Sequence, residues 1–234
     1  TEWNGRYMME TNYQYSVELL DYCLANDVPL IYASSAAVYG ANKKFKEQRQ
    51  FEQPLNVYGY SKLLFDQYVR RRLASAKTQV VGLRYFNVFG PGEAHKGAMA
   101  SIVWHLNRQI TQGAKARLFE GSSGCAAGEQ SRDFIYVDDI VAVNLWFMEH
   151  PAHAGIFNIG TGKASTFNEM ANAVIGWHGK GEITYIPFPE ELKDSYQSFT
   201  EADISKLRDV GYGAAFVDPS SGVRAYLDRL DEIK

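Results

Sequence analysis

NVYGYSK at residues 56–62 sets Tyr58 four residues ahead of Lys62, and PLIYASS at 29–35 ends upstream in two serines, Ser34 and Ser35. Positions i and i+4 share one face of a helix, so the phenol and the ammonium are expected side by side. A neighbouring ammonium favours a phenolate, and such a phenol can take the proton of an alcohol while a hydride leaves the same carbon. A serine hydroxyl at the end of the adjacent strand can hold the alcohol oxygen. The pattern points to hydride transfer at a hydroxyl-bearing carbon. Short motifs also recur by accident: with 15 tyrosines in the chain, about one such pair is expected by chance. A second copy does occur, Tyr39 to Lys43, but it crosses Gly40, Ala41 and Asn42 and reads as loop. Tyr58 and Lys62 instead open a helical pattern continued by Leu63, Leu64, Phe65, Tyr68 and Val69.

Outward from this stretch, the chain alternates helices and strands. Residues 6–26 carry Tyr7, Met8, Val17, Leu19, Leu20, Cys23 and Leu24, the content of a mostly buried helix. The short apolar run PLIYA at 29–33 is expected as a strand buried on both faces of a parallel sheet. Residues 34–40 then form a loop at that strand's carboxyl end, where open α/β sheets bind ligands. The charged segment 41–54 reads as a solvated excursion, and QVVGLRY at 79–85 as the next strand. Helix, strand, helix, strand is the order of a doubly wound sheet.

The pattern changes after Phe86. NVFGPGEAHKGAMAS (87–101) is a Gly-rich loop running into a helix over about 98–112. Strands are expected at 117–119 and 133–137, joined by EGSSGCAAGEQSR, then a helix at 138–149 and a strand at 155–159. A helix at 168–177, a strand at 182–186 and a helix from about 220 complete the chain. No strand–GxGxxG–helix unit of the kind that holds a dinucleotide is present. GIFNIGTG at 155–162 lacks that spacing and reads as a sheet-edge turn. The chain opens without Met, as though cut from a longer sequence.

The totals narrow the field. A chain of 234 residues with 46% hydrophobic content can bury a real core, in one large domain or two small ones. A net charge of −3 argues against nucleic acid or an acidic membrane surface as partner. Cys23 and Cys125 form neither a metal spacing nor a disulfide framework and suit a reducing cytosol. No apolar run approaches the ~20 residues that cross a bilayer, and TEWNGRYMME is not a signal peptide. The expectation is a soluble, cytoplasmic protein without metal.

SSAAVYG, YxxxK and RYFNVFGP occur here in the order found in the extended short-chain dehydrogenase/reductase family, which the chain resembles. Further matches are NYQYSVELLDYCL, PLNVYGYSK, AHKGAMASIVWHL, LFEGS, SRDFIYVDDI, FNIGTG and YIPFP, together covering nearly the whole chain. AHKGAMAS is the most diagnostic of them, and it is similar to the members that invert carbon 6 of an ADP-heptose. The resemblance implies an α/β chain with a Rossmann-like doubly wound parallel sheet, lacking its first strands and glycine loop, and a smaller α/β substrate domain. It assigns 1–88 and 134–162 to dinucleotide binding, and 89–133 and 163–234 to the nucleotide sugar. It implies bound NADP, a homo-oligomer (a pentamer) and epimerisation by oxidation to a ketone and re-reduction on the opposite face.

The same resemblance gives roles by position. Tyr58 is the acid–base group, Lys62 favours its phenolate and binds the nicotinamide ribose, and Ser35 holds the oxygen. Lys96 matches a proposed second base that also touches cofactor, with a phosphate- or solvent-facing loop lysine as the alternative. Thr11 stands where the family often has an Asn beside the cofactor, and Val88 lines the nicotinamide side. Asn87 and His105 contact substrate, although a satisfied, partly buried histidine is the fair alternative for His105. Ala98 replaces a Ser at a substrate position. Phe119, Glu120, Gly121 and Ser122 lie on the nucleotide, Arg132 on the diphosphate and Tyr196 on the sugar side.

Three rivals stay in view. A dehydratase needs an Asp–Glu pair close after the catalytic serine, where this chain has Ala36, Ala37 and Val38. A UDP-hexose 4-epimerase shares the triad and differs at the HKG loop and at FEGS. A non-catalytic relative, or an inactive fragment, uses the fold for binding alone.

Overall fold

Three parallel strands, β1 (Leu30–Ser35), β2 (Val80–Tyr85) and β7 (Gly155–Ile159), form a sheet in the order β1–β2–β7. The computed structural model describes residues 4–122, 124–190 and 197–232, in two compact units. The sheet belongs to the first, made of Thr1–Tyr85, Val141–Ile159 and Ala202–Gly213. Tyr32 pairs with Gly82 and Ser34 with Arg84, and Arg84 in turn with Asn158. Side chains alternate across a strand, so Tyr32, Ser34, Gly82 and Arg84 share one face, covered by α3 (Val57–Leu73). On the other face Phe157 packs against Phe147 of α5 (Val137–Glu149), ring centres 4.9 Å apart. Helices on both faces make the sheet doubly wound.

Strand β2 is central, and Val80–Leu83 are all buried. The expected burial of β1 on both faces does not hold: Ser34 is buried, Ala33 exposed and the other four residues half-buried. Among the described residues β1 has a partner strand on one side only, which leaves its far edge open. The helix expected over 6–26 is present as α1 (Gly5–Met9), a π-helical turn at Glu10–Gln14, and α2 (Tyr15–Ala25). It is not mostly buried. Only Leu20 and Cys23 are, while Tyr15, Leu19 and Tyr22 are 62%, 38% and 64% exposed. Its apolar residues occupy two faces, and one of these packs on Phe65 and Val69 of α3.

Segment 41–54 differs most from expectation. It is irregular, with a single 3-10 turn at Arg49–Phe51, but it is not a solvated excursion. Phe45 and Glu52 are buried, and the Glu52 carboxylate pairs with Arg84 and Arg70 at 2.6 Å each. α7 (Ser205–Asp209), which the sequence pattern did not reveal, belongs to this unit too.

The second unit comprises Phe86–Ile140, Gly160–Glu201 and Ala214–Lys234. Its core is built from α4 (Ile102–Thr111), α6 (Phe167–His178) and α8 (Pro219–Glu232), through Leu106, Ile110, Met170, Val174, Val223 and Leu227. Short strand pairs flank it. β3 (Asn87–Phe89) runs parallel to β6 (Phe134–Tyr136), β4 (Ala116–Phe119) parallel to β9 (Ile183–Ile186), and β5 (Ser131–Arg132) antiparallel to β8 (Ser165–Thr166). A Thr166–Glu169 capping box starts α6, as a Thr three residues before a Glu favours. The unit boundaries part from the expected 1–88 with 134–162 chiefly at 134–140, which fall in the second unit, and at 202–213, which return to the first.

Candidate active site

In the first unit the serine, tyrosine and lysine gather at the carboxyl end of β1. Ser35 closes the strand, and its Oγ accepts from the Ala37 N–H at 3.1 Å. Asn56 caps α3 by accepting from the Gly59 N–H at 2.8 Å, which puts Tyr58 and Lys62 on the first turns. The Lys62 ammonium lies 5.9 Å from the centre of the Tyr58 ring and donates to the Ala33 carbonyl at 3.1 Å. Burial lowers the Lys62 pKa, and the Asp66 carboxylate one turn further on opposes that shift. The rival pair, Tyr39 and Lys43, has a different fate. Tyr39 is buried, its hydroxyl donating to Asn158 Oδ1 at 2.6 Å and accepting from Arg84 at 3.0 Å.

Thr11 sits in the π-helical turn, exposed, with its hydroxyl bonded back to the Tyr7 carbonyl at 2.8 Å. Its neighbour Asn12 reaches α3 instead: Asn12 Nδ2 donates to Ser61 Oγ at 3.3 Å, and Ser61 Oγ donates to the Tyr58 carbonyl at 2.7 Å. π-turns inside α-helices are frequent at functional sites, but nothing in the local sequence announces this one.

The second unit carries the remaining candidates. Lys96 is exposed on a 3-10 stretch, Ala94–Met99, that kinks at Gly97 with φ 54°. Both ends of this loop meet at one carboxylate: buried Glu93 accepts from the Ser101 N–H and Oγ, each at 2.6 Å. Ala98 is exposed, and its carbonyl oxygen faces His105 Nε2 at 3.3 Å. Asn87 and Val88 stand on β3, Asn87 exposed and Val88 half-buried, with Asn87 Oδ1 at 3.5 Å from Thr200 Oγ1.

Phe119 lines a cavity with Ile102, Arg117, Leu118, Gln130 and Phe167. Buried Gln130, not singled out by the sequence, donates to the Glu120 carbonyl at 3.0 Å and to Ser122 Oγ at 3.4 Å, bracing the FEGS turn around Gly121. Arg132 is buried, its guanidinium 5.8 Å from the Phe167 ring centre. Tyr196 lies outside the described residues. The first five residues of GIFNIGTG are β7 itself, and in the turn that follows it the N–H groups of Thr161 and Gly162 are both taken by the Asp133 carboxylate, at 2.7 and 2.9 Å. A phosphate loop needs such donors for its ligand, so the turn reading stands.

The model of the NAD dependent epimerase/dehydratase family matches residues 2–160. The chain belongs to that family. An ADP-L-glycero-D-manno-heptose-6-epimerase of Alkalilimnicola ehrlichii is 60% identical over 230 residues, 98% of this chain and 72% of that relative. The crystal structure of the Helicobacter pylori ADP-L-glycero-D-manno-heptose-6-epimerase superposes with a TM-score of 0.84 at 34% identity, covering 99% of this chain and 69% of that one. A Thermus thermophilus UDP-glucose 4-epimerase in complex with NAD follows at 0.75 and 26% identity, covering 94% and 70%.

The residues of this epimerase/dehydratase chain suit a nicotinamide nucleotide in their donor chemistry. Lys62 uses one of an ammonium's three donors on Ala33, so its other N–H groups can serve ribose hydroxyls. Ser35 and Tyr58, both half-buried, supply hydroxyls at the same strand end. Among the described residues no cluster of three or more His, Cys, Asp or Glu can hold a metal ion. No described helix is long and apolar enough to cross a membrane.

Proposed function

We propose that this chain is the catalytic part of a nucleotide-sugar epimerase that converts ADP-D-glycero-D-manno-heptose to ADP-L-glycero-D-manno-heptose. The observation that carries the chemistry is the Lys62 ammonium placed beside the Tyr58 ring at the strand end that holds Ser35. The 60% identity with the Alkalilimnicola enzyme supports the substrate. Bound NADP supplies the hydride acceptor and donor at carbon 6.

Tyr58 takes the proton of the 6-hydroxyl, Ser35 holds its oxygen, and Lys62 stabilises the phenolate while binding the nicotinamide ribose. Inversion presents opposite faces of a planar ketone at carbon 6, and its oxygen must lose and regain a proton in two orientations, so inversion calls for a second acid–base group, and Lys96 is assigned that role as well as a contact to the cofactor. Thr11 and Val88 belong to the cofactor side. Asn87, Ala98, His105, the Phe119–Ser122 turn, Arg132 and Tyr196 belong to the ADP-heptose. The cavity at Phe119 and Phe167 offers apolar walls for a base, supporting the nucleotide assignment.

The first unit is then the dinucleotide part and the second the sugar-nucleotide part of a cytoplasmic homo-oligomer, by likeness a pentamer, that supplies heptose to the lipopolysaccharide inner core. The exposed stripe of Tyr15, Leu19 and Tyr22 on α2 supports burial against another surface. The deciding experiment incubates the protein with ADP-D-glycero-D-manno-heptose and NADP and follows carbon 6 by NMR. Conversion without added reductant, reduced at least ~100-fold in Tyr58→Phe, supports the reading. Turnover of a UDP-hexose instead sinks the heptose assignment and keeps the triad.

A further inference from the structure

We propose that Asp66 is a positioning residue for hydride transfer, fixing the end of β1, with Ser35, against the face of α3 that bears Tyr58 and Lys62. The chemistry rests on the epimerase reading above; the geometry does not. Tyr58, Lys62 and Asp66 follow at intervals of four along α3 and so lie on one face. Asp66 is fully buried. Its Oδ1 accepts from the Tyr32 hydroxyl at 2.8 Å, and its Oδ2 from Ser34 Oγ at 2.9 Å and Arg84 Nε at 2.8 Å. Between Tyr32 and Ser34, the Ala33 carbonyl accepts from Lys62, and the next residue is Ser35. Three successive residues before the catalytic serine are thus tied to two successive turns of α3.

A buried ion pair does not by itself argue for function. An apolar side chain of similar size often holds two elements together as well or better. What it cannot do is specify direction. Three hydrogen bonds converging on one carboxylate set where the strand end stands relative to the helix, and small misplacements of reacting groups are costly in rate. Asp66 also acts on Lys62, whose charge burial disfavours. The groups facing this pair are Tyr58 on the same helix, Tyr32, Ser34 and the Ala33 carbonyl from β1, and Arg84 from β2, whose charge Glu52 and Tyr39 also engage.

The test is Asp66→Asn in the full chain. Asn has the same shape but lacks the charge and one acceptor. With the ADP-heptose substrate, kcat is expected to fall roughly 10- to 100-fold while KM changes less than about threefold. Lys62, followed by 15N-lysine NMR, is expected to lose its proton at lower pH than in the parent. Tyr32→Phe removes one hydrogen bond and leaves the charge, so it should lower kcat less and leave the Lys62 titration in place. A folded Asp66→Asn with parental kcat and parental Lys62 titration overturns the proposal. If Asp66→Asn does not fold, the double variant Tyr32→Phe/Ser34→Ala decides, and parental kcat there overturns it equally. The lysine titration needs no substrate. A parent that fails to turn over the ADP-heptose therefore counts against the substrate reading alone, and Asp66 is still tested.

Discussion

The Lys62 ammonium donates to the carbonyl of Ala33 over 3.1 Å, two residues before Ser35. One lysine thereby joins the helix that carries the phenol to the strand that carries the serine. It has a titration consequence. Burial pushes the Lys62 pKa down, and Asp66 counters only in part. The alkaline limb of kcat is expected below the ordinary lysine value of about 10.4, because the ammonium is lost early. Lys62→Arg, whose guanidinium does not titrate in this range, should lower kcat and remove that limb. Stability moves in a defined direction as well. Between the lowered folded value and the unfolded one, the unfolded chain binds more protons, so this group's contribution to stability rises with pH across that window. A pH–rate profile of the two proteins checks the first expectation.

Glu52 is expected to govern acid stability. Burial alone raises a carboxyl's pKa, but the hydrogen bonds and charges of Arg70 and Arg84 win and hold Glu52 below the usual range. Its stabilisation is therefore complete above the unfolded glutamate value and is lost as pH falls through the folded value. Glu47, raised by burial, works the other way, losing stability as pH rises above the unfolded value. Glu52→Gln leaves Arg84 buried with less counter-charge, and urea unfolding at pH 7 should show a loss of about 3–5 kcal/mol. The loss should shrink toward low pH, where the parent has itself lost the charge.

The two Tyr-Lys pairs show what the sequence could and could not tell. Tyr58 and Lys62 were legible because helical periodicity continues past them, and the structure gives α3 from Val57 to Leu73. Tyr39 was legible as standing outside any long helix from Gly40, whose φ of 56° ends its short helix. The alternation of helices with the strands β1, β2 and β7 along the chain followed from length and apolar runs. What stayed hidden depends on partners distant in sequence. Glu52 sits in a charged, irregular segment and looks solvated until Arg84, 32 residues on, is folded against it. Asp66 gave one faint signal, a charge at the next i+4 position of the face that carries Tyr58 and Lys62. The exposed stripe of α2 could not be foreseen, because apolar content does not say which of two faces is covered.

Glu93 closes the loop that carries Lys96. Its carboxylate accepts two hydrogen bonds from Ser101, both at 2.6 Å, across the turn at Gly97. Glu93→Gln retains one good acceptor and replaces the other with a donor, so one of these bonds is lost, at a stability cost of about 1–3 kcal/mol. The loop amides at 94–100 should then exchange hydrogen faster than in the parent, while those of α3 stay unchanged. If Lys96 is the second acid–base group, kcat falls with the faster exchange. Unchanged exchange at 94–100 would show that the carboxylate does not hold the loop.

Gly82 makes the Asp66 contact possible. A Cβ at this position would overlap the Tyr32 ring and hydroxyl, the group that donates to Asp66 Oδ1. Gly82 has no positive φ, so the demand is for space and not for backbone freedom. Gly82→Ala is therefore expected to push Tyr32 aside and to cost about 1–3 kcal/mol by overpacking. In a Tyr32→Val background the clash is absent, and the same substitution should cost much less. The difference between the two costs is the coupling of a double-mutant cycle. A coupling near zero would mean that Tyr32 occupies another position in solution, which would remove one of the two hydrogen bonds that tie the end of β1 to Asp66.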